Sequence, residues 1–207
     1  MTTENNYRLP TDVTPTSYDI TLTPNLSDFT FTGQMSVKID VGAPTSKLTL
    51  NAAELSINAS TVLLPNGISI DAEKVILDEQ METATLFLKS EIPAGKAVLT
   101  SHFQGILNDQ LRGFYRCQYI SHDGTEQYLA ATQFEATDAR RAFPCWDEPS
   151  AKAFFTVNLI IPSELVALSN TPSISETLLG NGTKSVQFAE TPKMSTYLLA
   201  FIVGDLS

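Results

Sequence analysis

Between Gln133 and Pro149 the chain concentrates its most reactive chemistry. Glu135, Asp138, Asp147, Glu148, Arg140, Arg141 and the only tryptophan, Trp146, fall within 17 positions. Acids and arginines this close predict a cross-braced loop, with Arg140 or Arg141 pairing with Asp147 or Glu148 around Trp146. A two-carboxylate glycosidase built on Glu135 and Asp147 or Glu148 would need the two groups set opposite each other, and nothing in the spacing provides that.

Other reactive constellations are weaker. A catalytic zinc needs about three ligands from His, Glu, Asp and Cys. The chain has two histidines, His102 and His122. His122 precedes Asp123-Gly124 and reads as a solvated turn; His102 lies among polar neighbours in an alternating strand and reads as a surface or interface residue. Neither belongs to an H-E-x-x-H pair. Cys145 follows Pro144 with no histidine nearby in sequence and reads as a buried small hydrophobe. No serine sits in a G-x-S-x-G setting, and there is no Gly-rich phosphate loop.

The elements that must position these groups are strands. From Phe29 to Val41, Phe29, Phe31, Met35, Val37, Ile39 and Val41 share one face with Gly33, and polar residues share the other. Tyr18, Ile20 and Leu22 mark a shorter strand after a break at Pro15. Leu48/Leu50, Leu55/Ile57, Val75/Leu77, Leu86/Leu88, Leu99/Phe103, Phe155–Ile161 and Val186/Phe188 mark others. Tyr197–Val203 is apolar on both faces and reads as a central strand. Pro65-Asn66-Gly67, Pro93-Ala94-Gly95, His122-Asp123-Gly124 and Gly180-Asn181-Gly182 read as turns. No long window keeps a 3.6-residue apolar period, and Asp138–Phe143 has room for one helical turn. The expected fold is all-β: a single domain over 1–207, built as an antiparallel sandwich or one large curved sheet.

Composition narrows the partners. Of the 207 residues, 43% are hydrophobic, enough for a substantial core, and the net charge is −10. Such a chain repels phosphate backbones, so nucleic acid is not an expected partner. The polar start, Met1–Arg8, has no signal-peptide character, and Tyr197–Val203 is too short to span a membrane. Two cysteines make no disulfide framework, and the three Asn-x-Ser/Thr sequons matter only in a secreted chain. A cytoplasmic location is therefore the expectation.

Thr132-Gln133-Phe134-Glu135, Ala139-Arg140 and Phe143-Pro144-Cys145-Trp146-Asp147-Glu148-Pro149 together closely resemble a hallmark of the N-terminal domain of zinc aminopeptidases. That family includes aminopeptidase N, puromycin-sensitive aminopeptidase and leukotriene A4 hydrolase. Leu9-Pro10, Val13-Thr14-Pro15, Tyr18-Asp19, Gly113-Phe114-Tyr115-Arg116 and Met194–Phe201 extend the similarity over most of the chain. The resemblance implies a saddle-shaped β-domain packed on a thermolysin-like catalytic domain. That domain would hold the zinc and is absent from this sequence, so this chain by itself should bind no metal and be inactive.

The resemblance also implies roles. Glu135 would bind the free α-amine of a peptide substrate, since a carboxylate recognises an ammonium by charge and hydrogen bonds. Gln133 would line the cleft on the same side of an extended segment, its amide able to donate and accept. Phe134 would point inward. Arg140, Phe143, Pro144, Trp146, Asp147 and Pro149 would hold the loop, and Tyr115 and Arg116 would be structural or border the cleft. The expected partners are a peptide N-terminus and the catalytic domain of the same polypeptide, with no membrane. The alternative is a non-catalytic scaffold module, which has no need of an acid at position 135.

Overall fold

The computed structural model describes residues 8–121 and 123–206, so the predicted turn residue His122 lies outside the described residues. The strands are β1 (Val13–Asn25), β2 (Thr30–Val41), β3 (Thr45–Asn51), β4 (Ser56–Leu63), β5 (Ser69–Asp78), β6 (Thr83–Ile92) and β7 (Gly95–Ile106). They continue with β8 (Gly113–Ile120), β9 (Glu126–Gln133), β10 (Phe154–Pro162), β11 (Val166–Ser169), β12 (Ser173–Leu178), β13 (Thr183–Phe188) and β14 (Phe201–Gly204). Helical structure among the described residues is limited to two short 3₁₀ turns, Ala139–Arg141 and Thr196–Leu198. The fold is all-β, as the two-residue period dictates.

Ten strands form one sheet, in the order β12-β13-β10-β1-β2-β7-β4-β5-β6-β3; the other four form a second, β11-β14-β9-β8. Strand β2 shows why the sequence folds this way. Phe31, Met35, Val37, Ile39 and Val41 are buried, while Thr32, Gln34, Lys38 and Asp40 between them are exposed. Gly33 and Gly105 complete the packing of β2 on β7. A Cβ on Gly33 would lie 2.4 Å from the Phe103 ring, and one on Gly105 would lie 2.5 Å from the Phe31 ring. Each glycine is the register partner of the ring that covers it. The rings occupy the space a side chain would take.

Three expectations need correction. The ten-stranded sheet is not purely antiparallel, because β10 runs parallel to β1 over Ser17–Leu22. Alternation reports burial, not direction, and everything from β2 to β9 separates these two strands, length enough for a parallel return. Pro15 does not break the first strand. Lacking an N–H, it sits at a register shift between Pro15 and Ser17, where the Thr16 hydroxyl donates to the Lys38 carbonyl. Tyr197–Val203 is not one continuous strand. The Asn170 amide donates to the Leu198 carbonyl and accepts from the Ala200 N–H, standing in for sheet pairing, so the strand begins only at Phe201. The short strand β14 is nonetheless central, between β11 and β9.

The core runs between the sheets as a chain of rings. Phe155 stacks on Tyr18 at 5.0 Å, and Tyr18 meets Phe143 edge-on at 6.0 Å. Phe143 touches Phe134, Phe134 touches Phe201, Phe201 touches Phe114, and Phe114 reaches Phe31 back in the large sheet. Phe134 and Phe143 thus anchor the acid-rich segment at the centre of this chain. Each such contact contributes about 0.5–1.5 kcal/mol beyond simple burial.

Candidate substrate-recognition site

Strand β9 alternates up to its end. Ala130 and Phe134 are buried, Phe134 at 2% exposure, and Gln133 and Glu135 are exposed on the opposite side. Gln133 ends the strand opposite Gly113 of β8. The chain then turns: the Asp138 N–H donates to the Phe134 carbonyl at 3.0 Å, and the Glu135–Ala136 peptide is cis. Tyr115, the register neighbour of Ala131, lies on the same outward face as Gln133 and is half-buried, with burial raising its phenol pKa. Arg116 is turned elsewhere. Its guanidinium lies 4.4 Å from the Phe29 ring centroid and 3.1 Å from Asp109.

The rest of the segment is tied down. Asp147, whose side chain is 1% exposed, accepts from Arg140 Nε at 3.0 Å and from the Thr196 hydroxyl at 2.6 Å. Its backbone N–H donates to the Asn51 side chain. Cys145 exchanges backbone hydrogen bonds with Asn51, extending the edge at β3. The Trp146 N–H donates to the hydroxyl of Tyr18. Burial lifts both the Tyr18 phenol and the Cys145 thiol well above their ordinary pKa values, with the Asp147 charge adding to the lift. A protonated, fully buried thiol is a packing group, not a nucleophile. Phe143 and Pro144 are buried; Pro149 is exposed and takes part through its carbonyl, which accepts from Ser195.

The cross-brace expected from the sequence is made by Arg140, and Arg141 adds pairs that were not expected. Arg140 pairs with Asp147, but Arg141 pairs with neither Asp147 nor Glu148. It bonds Asp138, Glu54 and Glu82 instead. Glu82 also binds Arg140 at 3.1 Å. Glu148 accepts from the Leu9 N–H, fixing the start of the described chain. Glu54, Glu82, Asn51, Tyr18 and Thr196 were not read from sequence as partners of this segment, because they lie between 49 and 128 residues from the groups they bond. Only their chemical type, acids and hydroxyls able to meet arginine or aspartate, carried any signal.

His102 is exposed on β7. Among the described residues, no group of three or more His, Cys, Asp and Glu side chains could hold a metal ion. The acids nearest Glu135 in sequence are committed to arginines and backbone, so the donor set present does not fit a catalytic zinc. None of the described helices is long and apolar enough to cross a membrane.

Comparison with known proteins matches this sequence to a family. The sequence profile of the peptidase M1 N-terminal domain covers residues 14–198. Aminopeptidase M1-B of Oryza sativa subsp. japonica is 47% identical over 197 residues, which is 95% of this chain and 22% of that protein. Puromycin-sensitive aminopeptidase of Caenorhabditis elegans is 42% identical, over 96% of this chain and 21% of its own length. Aminopeptidase N of Acetobacter pasteurianus is 39% identical over 96% of this chain and 55% of its own length. The chain thus spans about a fifth of the first two relatives. With a profile match across all but the ends, and a motif whose buried residues form one connected brace, this chain belongs to the peptidase M1 N-terminal domain family.

Proposed function

We propose that this chain is the substrate-recognition domain of a zinc-dependent aminopeptidase, with Glu135 receiving the α-ammonium of a peptide and Gln133 bonding its backbone. One observation carries the reading. Of the four acids between Gln133 and Pro149, Asp138, Asp147 and Glu148 have partners inside the protein. Glu135 has none among the described residues and faces outward beside Gln133. A carboxylate held out on a braced turn suits a cationic ligand. A scaffold would have no use for it.

Hydrolysis, with its zinc, belongs to the remainder of the polypeptide, which forms the other wall of the cleft. The outer face of the small sheet supports such a neighbour. Val166 and Leu168 are 40% and 54% exposed there, and Leu168, Ile202 and Ala131 lie in register across three strands. Cys117 and Cys145 are both free, which suits the reducing cytoplasm. In the full-length enzyme, Glu135→Ala should cost about 2–5 kcal/mol in kcat/KM for free-amine substrates, once the site is closed from water. An unchanged kcat/KM would remove the proposal.

A further inference from the structure

We propose that Arg141 is the positioning residue for Gln133 and Glu135, locked by carboxylates drawn from three separate parts of the chain; the inference rests on the amine-receptor reading of Glu135. Each guanidinium nitrogen of Arg141 has its own acid. Nε lies 2.7 Å from Asp138 Oδ1, Nη1 lies 2.6 Å from Glu54 Oε1, and Nη2 lies 2.6 Å from Glu82 Oε1. Glu54 lies just before β4 and Glu82 just before β6, so the clamp ties two distant turns to the segment that carries the site. The Arg141 side chain is only 9% exposed. Burial works against its charge, but Asp138, Glu54 and Glu82 outweigh it and hold the guanidinium pKa above its ordinary value.

Two contacts give this clamp access to the site. Asp138, held by Arg141 Nε, donates its N–H to the carbonyl of Phe134, the residue immediately before Glu135. The rotation of the Phe134–Asp138 turn, and with it the direction of the Glu135 carboxylate, is therefore referred to the guanidinium. The second contact is with Gly113, the register partner of Gln133. A Cβ on Gly113 would lie 2.7 Å from Arg141 Cβ, and its φ of +67° already favours glycine. The Arg141 stem thus lies against the backbone opposite Gln133 while its head holds the Glu135 turn. One side chain sets the spacing of both groups.

Arginine suits this role because a planar fork presents separate donors in fixed directions, whereas an ammonium is a single point. Arg140 does a different job. It holds Asp147 and the Trp146 end of the segment, and meets the clamp only through Glu82.

The test combines a structure with a double-mutant cycle in the full-length enzyme. Arg141→Met keeps the apolar stem and removes the charge; Glu54→Gln removes one clamp arm at a half-exposed position and serves where Arg141→Met does not fold. The crystal structure of either variant should show the Phe134–Asp138 turn displaced. KM for a free-amine substrate should rise about tenfold to a hundredfold, the scale of a misplacement near 1 Å, with kcat little changed. Arg141→Lys should restore part of that loss. In a Glu135→Ala background the same substitutions should add much less, keeping only the share that acts through Gln133. A turn that superposes on the parent in both variants would overturn the positioning role whatever Glu135 binds. So would full additivity with Glu135→Ala, which would mean that Arg141 acts only on stability. If Glu135→Ala itself leaves KM unchanged while the turn still moves, the amine reading fails and the mechanical role of Arg141 stands.

Discussion

A buried carboxylate beside a buried guanidinium costs much to desolvate, and breaking such a pair costs more than never having made it. Asp147 is close to that position: its carboxylate lies between the 12%-exposed Arg140 side chain and the Thr196 hydroxyl, and its backbone N–H donates to the Asn51 amide oxygen. Asp147→Ala would leave Glu82 as the carboxylate facing Arg140, beside the residue 147 carbonyl, and should lower stability by about 3–5 kcal/mol, read from urea unfolding of the purified protein. A loss under about 1 kcal/mol would show that Asp147 is not the keystone of the brace. At this scale the sequence told part of the story. Glu135, Gln133 and the Arg140–Asp147 pair stand out because their residue types crowd into one short stretch. Glu54 and Glu82 were invisible because the loops that carry them are remote in sequence and meet Arg141 only once the sheets have formed.

Strands were legible wherever one face is buried and the other wet, because the two-residue period then writes itself into the residue types. Phe29–Val41 is the clearest case. What alternation leaves open is which strands pair and in which direction, so the parallel β1/β10 pair and the interruption before Phe201 had to come from the structure. Two predictions belong here. Gly33→Ala places a methyl against the Phe103 ring, 2.4 Å from its nearest atom, and should cost about 1–3 kcal/mol of stability by overpacking, measured by denaturant unfolding. No change would mean that the β2–β7 packing has slack. In the β8–β9 turn, hydroxyls of Ser121 and Thr125 and the Thr125 N–H hold the Asp123 carboxyl down at about 2. A lowered carboxylate stabilises the turn at pH above the ordinary range and loses that contribution as pH falls toward 2. NMR titration of the Asp123 carboxyl should therefore give a midpoint near 2; a midpoint near 4 would contradict the hydrogen bonding.

For the whole molecule, the two sheets and the ring chain between them serve to hold a short stretch of surface still. Phe134 and Phe143 fix it from inside; Arg140, Arg141 and Asp147 fix it from the side. The result is an exposed acid on a braced turn of a chain of net charge −10, which on the proposed reading would draw a peptide ammonium to Glu135. The rice and nematode relatives are aminopeptidases of which this chain matches about a fifth, and the proposed function assigns recognition to this part and hydrolysis to another. The most direct test compares a free-amine peptide inhibitor with its des-amino analogue, in the full-length enzyme and in Glu135→Gln. The parent should prefer the free amine by about a hundredfold or more, and the neutral isostere should reduce that preference to about tenfold or less. A preference that survives Glu135→Gln intact would contradict the assignment of Glu135 as the amine receptor.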